Sequence, residues 1–452
     1  MTTADLVITG TRIVTPSGER PGAVVVEQGV ITAVVPREQT PPTTTTIDAG
    51  TAAVLPGMVD SHVHLNEPGR TEWEGFASGT RAAAAGGITS VVDMPLNSIP
   101  VTTNVAALRR KAAAADGAAL VDYGFWGGVI PQNLSDLGPL LEVGVLGFKV
   151  FLVPSGIDEF PKTPERALAA AMRRLAEHDA VLLAHAEAPG VVERATRRAR
   201  GDPRRYETWL STRPIEAELD AIDQLLELSD RTGCRIHIVH LACAEAIPRI
   251  EEARRDGVPV TVETCPHYLT FAAEEIPDGA TTFKCAPPIR ARHHREALWD
   301  GLAGGVIDLV ASDHSPAPPE LKCLESGDFL QAWGGIASLE LSLAALWTGA
   351  WERGRTLEDV ARWLSAGPAR LAGLSRKGRI APGCDADLVI FDPNELWTVD
   401  PAALRQRHPV TPYAGLALQG RVQRTFVRGI CVYESGKCSE AAGGRWLKRE
   451  RA

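Results

Sequence analysis

Long apolar runs are missing from this 452-residue chain. No stretch approaches the roughly 20 residues a membrane span requires. The start, MTTADLVITG, has neither the basic residues nor the apolar block of a secretory signal. No membrane partner is expected, and the expected compartment is the cytoplasm. Missing too is any CxxC pair. The eight cysteines stand at 234, 243, 265, 285, 323, 384, 431 and 438, which argues against a clustered thiolate site and, at this length, against a disulfide scaffold. Formal net charge is -9, from 47 Lys and Arg against 56 Asp and Glu, with no basic run long enough to grip phosphates. Nucleic acid is therefore not an expected partner. Neither GxGxxG nor a P-loop follows a strand-like run, so nothing marks a nucleotide site. What remains is an ordinary globular composition, 44% hydrophobic and 23% charged.

The two ends of the chain share one texture. Leu6-Val7-Ile8, Ala23 to Val26, and Val30 to Val35 after the turn signal Glu27-Gln28-Gly29 read as a meander of short strands. DADLVIFD at 385–392 and RVQRTFVRGICVYESGK at 421–437 read the same way. Chain ends commonly lie close in space, so 1–54 and 381–452 are expected to pack together as one small β-sandwich domain. The middle, 55–380, alternates. Apolar runs at 53–62, 88–94, 121–130, 145–152, 180–187, 235–242, 259–267 and 306–314 are separated by segments of helical character. Thr163-Pro164-Glu165 reads as N-cap, first-turn proline and first-turn acid, and Ile215, Leu219, Ile222 and Leu226 share one helix face. Eight buried-type strands alternating with helices predict an α/β fold, a (β/α)8 barrel, with an open doubly wound sheet as the alternative.

In such a barrel chemistry collects at the C-terminal ends of the strands. The first run ends Asp60-Ser61-His62-Val63-His64, and in extended chain positions i and i+2 face the same side, so both imidazoles can reach one point. The fourth run, VLGFKVFL, carries Lys149 in its middle; the fifth ends at His185, the sixth at His240, and the eighth at Asp313 in ASDHSP. Any one of these alone is better read as a core histidine or a loop cap. Together they point to a catalytic site for zinc or another first-row divalent ion. Lys149 is the odd member, because a buried ammonium is costly and has no lone pair for a metal. A neutral lysine amine, favoured by desolvation, can add carbon dioxide and become an anionic carbamate able to bridge two ions. His237, three residues before its strand end, reads as structural, and His267 lies near the rim.

At these residues the chain resembles the cyclic amidohydrolases, the superfamily of dihydroorotases, dihydropyrimidinases, hydantoinases and allantoinases, nearly end to end. The resemblance implies a TIM-like barrel of the amidohydrolase type. It places one metal on His62, His64, carboxylated Lys149 and Asp313, and the second on Lys149, His185 and His240. The ions it implies are two divalent metals, zinc first, with cobalt, manganese or iron accepted by the same donors. The finer motifs are most similar to the allantoinase branch. HVHLNEPGRTEWEGF carries Asn66 where dihydroorotases have an arginine, and Pro154 stands where dihydropyrimidinases and hydantoinases have a tyrosine. TRPIEAE, ETCPHYLTF, KCAPPIR, SDHSPAPPELK and QAWGGIASLE have the same flavour, although Ala286 replaces the serine many relatives have before the paired prolines. The resemblance thus implies a small-molecule substrate, allantoin, opened to allantoate. On that reading Asp313, placed beside the attacking water, is expected to shuttle the proton, and Asn66, Ser315, His267, Ala286 and Gly334 are expected substrate contacts, His267 and Ser315 from their location. It also implies a homotetramer. Other cyclic amides, a mononuclear deaminase and a non-catalytic assembly protein on the same fold are the rival readings.

Overall fold

The computed structural model describes residues 4–450. Eight parallel strands form its centre: β1 (Met58–Val63), β2 (Ile88–Asp93), β3 (Asp122–Phe125, continued by Gly127–Gly128), β4 (Phe148–Phe151), β5 (Leu182–His185), β6 (Ile236–Ile238), β7 (Val260–Thr264) and β8 (Leu309–Val310). Each pairs with the next. Past β8 the chain closes the ring, Val63 bridging His314 and the His64 amide donating to His314 O at 2.8 Å. The doubly wound alternative is thereby excluded. Gly127 is required at the β3–β4 seam, since a Cβ there would sit 2.7 Å from the Phe148 ring.

Strand alternation decides what points inward. Phe148, Val150, Leu182, Ala184, Ile236 and Ile238 join the large apolar cluster shared with the surrounding helices. Leu183 instead meets Val59, Val92 and Leu309 from distant strands, which places it inside the ring. Lys149 is its register partner and His185 that of Phe151, so Lys149 and His185 share this inner side.

The chain ends build one continuous sheet of nine strands. Leu6–Thr15, Gly18–Glu27 and Val30–Val35 run antiparallel in turn, while Ala53–Pro56 joins Leu6–Thr15 to Leu388–Thr398. Leu6, Ile8, Val24, Val26, Val54, Leu388, Ile390 and Phe426 fill a common core. The run read as one strand over 53–62 is thus two, divided at Gly57, where a side chain would collide with Thr89 of β2 and with Asp387. Buried Lys377 ties the two units together, its Nζ 2.6 Å from Asp122 of the barrel and 2.8 Å from Asp387 of the sheet. The tail then leaves the sheet: Leu447 N donates to Tyr123 O at 2.7 Å and Trp446 packs edge-on against Phe125.

One helix start differs by one residue from expectation. The helix Glu165–Ala176 begins after Pro164, and Thr163 does not cap it. Its hydroxyl donates to Val129 O at 3.2 Å instead, so a tertiary acceptor has outcompeted the local one. No helix of the described residues is long and apolar enough to cross a membrane.

Candidate functional site

Five strands deliver the six predicted ligands to one cavity of about 270 Å³. His62 and His64 come from the end of β1, Lys149 from β4, His185 from the last position of β5, and His240 and Asp313 from the turns that follow β6 and β8. Asp313 is the junction: its Oδ1 lies 3.1 Å from His62 Nε2 and 3.4 Å from His64 Nε2. The His62 ring centroid is 5.5 Å from that of His240, which is 4.7 Å from that of His185. His240 and Asp313 both have left-handed backbones, φ 42° and 45°. Non-glycine residues rarely adopt this conformation, and it concentrates at functional sites where packing enforces it.

The donors fit divalent metal ions because their lone pairs are unspent. Lys149 Nζ and His240 Nδ1 are buried without a hydrogen-bond partner. His185 is held by its Nε2, 2.6 Å from Glu187, which leaves Nδ1 free; His62 is held by Nδ1 on Glu263, which leaves Nε2 toward Asp313. This is how carboxylates behind a metal-binding imidazole fix its tautomer and orientation. His62, His64 and Asp313 present ligand atoms all within 4.8 Å of one another.

Electrostatics point the same way. Burial pushes the Lys149 ammonium down to about 8, only partly opposed by Glu263 and Asp313, so the neutral amine is accessible near neutral pH. Burial holds His64 and His185 below the usual imidazole range and His240 well below it, keeping the rings neutral as metal ligands must be. For Asp313, burial alone would raise the carboxyl, but the summed pull of His62, His64 and His240 takes it well below the ordinary range. Glu263 and Glu187 behave likewise: burial raises each, and is outweighed by His62 and His237 in one case and by Arg213 and His185 in the other, leaving both at about 2.

Of the expected substrate contacts, Ser315, Ala286 and Gly334 line the cavity. Asn66 and His267 are not among its lining residues. Asn66 is buried, and its amide reaches only Pro316 O, at 3.5 Å. His267 is wholly buried with neither ring nitrogen partnered, and burial lowers it to about 4. His237 is bonded to Thr261 at 2.8 Å and to Glu263 at 3.0 Å, in keeping with a structural part.

Sequence reasoning passed over Glu263, Glu187, Arg213, Asn97 and Lys284. Glu263 gathers three groups, the His62 ring, the His237 ring and, at 3.4 Å, the His240 amide. Arg213 lines the cavity and donates to the Glu187 oxygen that holds His185. The signal that finds both acids is the one that finds Lys149, a charge inside an apolar run. Asn97, with φ 67° and a buried, unpartnered Oδ1, lies in a loop that carries no such mark.

The Amidohydrolase family profile matches residues 53–432. An allantoinase of Streptomyces avermitilis is 51% identical over 451 residues, covering all of both chains. An allantoinase of Arabidopsis thaliana is 46% identical over 97% of this chain and 90% of its own. Among solved structures, the L-hydantoinase (dihydropyrimidinase) from Arthrobacter aurescens superposes with a TM-score of 0.94 at 30% identity, over 99% of this chain and 100% of that one. The chain belongs to the amidohydrolase family, and within it to the hydrolases of cyclic amides.

Proposed function

We propose that this enzyme opens the hydantoin ring of allantoin with water, giving allantoate, and that it does so on a binuclear metal centre bridged by a carboxylated Lys149. The likeness to the Streptomyces avermitilis allantoinase over the full length of both chains carries the substrate assignment. The buried, unpartnered Lys149 Nζ supports the carbamate. In forming it, the amine lone pair bonds the carbon of CO2 and one nitrogen proton is lost, leaving an anion in place of a costly ammonium.

Two divalent ions, zinc or a first-row relative, would be held by His62, His64, Lys149, His185, His240 and Asp313, and would supply acidification of a water and polarisation of the amide carbonyl. The chain's own groups do the rest. Asp313, kept ionised by three histidines, accepts the proton of the attacking water and returns it to the departing ring nitrogen. Glu263 and Glu187 keep His62 and His185 in the tautomers that face the centre. Ser315, Ala286, Gly334 and Asn97 form walls against which the ring and its ureido arm are oriented. The same reading carries a cytoplasmic homotetramer without nucleic-acid or membrane partners, which light scattering and fractionation test.

The fold likeness to the Arthrobacter hydantoinase favours a second reading, hydrolysis of other hydantoins or dihydropyrimidines. A panel of allantoin, hydantoin and dihydrouracil on metal-loaded enzyme separates them. Allantoin is expected to have the highest kcat/KM. Good turnover of dihydrouracil with none of allantoin refutes the proposal.

A further inference from the structure

Among the described residues, two lysines outside the metal centre are buried without a carboxylate to pair with. Lys284 Nζ donates to Ala332 O at 2.5 Å and Leu330 O at 3.2 Å. Lys322 Nζ donates to Trp333 O at 3.2 Å and to Gly335 O. Their four acceptors all belong to one short segment, 330–335. The lysines are 6% and 3% exposed. Burial pushes Lys284 down to about 8 and Lys322 down to about 7, in keeping with the lack of an acid partner.

The segment they hold is a wall of the cavity: Ala332, Trp333, Gly334 and Gly335 line it. Its amides are mostly spent, Ala332 N on Asp328 O, Trp333 N on Leu321 O, and Gly335 N on Lys284 O at 2.8 Å. Among the described residues the Gly334 amide donates to none. A peptide plane whose carbonyl is held on one side has its N–H turned to the other, so Lys322 on Trp333 O fixes the peptide that carries the Gly334 amide, while Gly335 N on the Lys284 carbonyl fixes the peptide that follows. A free loop would lose that orientation and would have to regain it, against backbone entropy, on binding.

We propose that Lys284, itself at the cavity wall, and Lys322 behind it are positioning residues, a paired clamp that pins the carbonyls of 330–335 and presents this wall, with the Gly334 amide, preorganised to the cyclic amide. The clamp rests on reading the cavity as the substrate site. It acts on substrate binding and leaves the metal ligands untouched.

The test uses full-length, metal-loaded Lys322→Met and Lys284→Met enzymes assayed on allantoin and hydantoin. Loss of two hydrogen bonds to the segment is expected to raise KM by about tenfold or more, with kcat within about threefold of wild type. Metal per chain is expected to stay at the wild-type value, and hydrogen exchange is expected to rise across 328–337 but not in the barrel strands. Unchanged KM and exchange overturn the clamp, as does a loss of metal in step with kcat. If neither methionine variant folds, exchange in wild type decides: amides of 330–336 no better protected than exposed loops overturn it. A wild type that opens hydantoin but not allantoin refutes the substrate assignment alone, and the clamp is then measured on hydantoin.

Discussion

Glu263 offers the sharpest quantitative test, because one buried carboxylate serves ligands on both sides of the centre. Replacement by glutamine keeps the shape and removes the charge. His62 must keep a proton on Nδ1 so that Nε2 can face Asp313, and the glutamine carbonyl can accept a hydrogen bond from that Nδ1–H. The glutamine NH2 then confronts His237 Nε2, which can turn acceptor by moving its proton to Nδ1, where Thr261 Oγ1 lies 2.8 Å away. The hydrogen bonds survive, and what is lost is their charge assistance. Charged and neutral bonds differ by about 1–1.5 kcal/mol each, so two bonds give roughly 2–3 kcal/mol before relaxation. Groups behind metal ligands are typically worth about 10–100-fold in metal affinity or activity, which agrees. Glu263→Gln is therefore expected to weaken metal binding by about 10–100-fold in titrations against a metal buffer, with turnover recovered at high free metal. Glu263→Ala leaves two buried imidazole nitrogens without a partner, at about 1–3 kcal/mol each, and is expected to lower the melting temperature as well. Wild-type metal affinity in Glu263→Gln, or identical behaviour of the two variants, refutes the reasoning.

Other expectations are more direct. Asp313→Asn removes the proton acceptor and is expected to lower kcat by about 10²–10⁴-fold with KM nearly unchanged; residual activity above a tenth of wild type contradicts its assignment. Gly57→Ala forces a Cβ to within 2.9 Å of Asp387 and against Thr89, so a loss of about 1–3 kcal/mol of stability is expected by thermal or denaturant unfolding, with metal content unaltered. Burial pushes the Lys322 ammonium down to about 7 in the folded chain, well below the ordinary lysine range. Below pH 7 both states are protonated and the burial cost is fully present; above it the folded state loses its proton first, so this group adds stability as pH rises toward 10. Lys322→Met is expected to flatten that rise in melting temperature, and an unaltered profile contradicts it.

The barrel was legible because its strands are short apolar runs, and the polar residues at the ends of several of them converge on one cavity. Lys149, His185, His240 and Asp313 announce themselves as exceptions, and the structure brings them together with His62 and His64 around one cavity. Glu187 and Glu263 carry the same mark, and a stricter reading of it finds them. The strand break at Gly57 was marked by the pair Pro56-Gly57, a turn signal outweighed by the apolar residues on both sides, and contact with Thr89 and Asp387 explains why the position needs glycine. Thr163 has the look of a cap, but Val129 O takes its hydroxyl. The far cavity walls were the least legible. Asn97, Arg213 and the 330–335 segment stand in loops whose paths depend on partners distant in sequence, as Ala332 depends on Lys284, 48 positions away.

Whether Lys149 becomes an anionic bridge between two ions is decided by a high-resolution crystal structure of metal-replete, active enzyme. Density for a carbamate on Lys149 Nζ, reaching one ion near His62, His64 and Asp313 and another near His185 and His240, is the predicted result. An unmodified lysine beside two fully occupied ions, in crystals that turn over substrate, would contradict it.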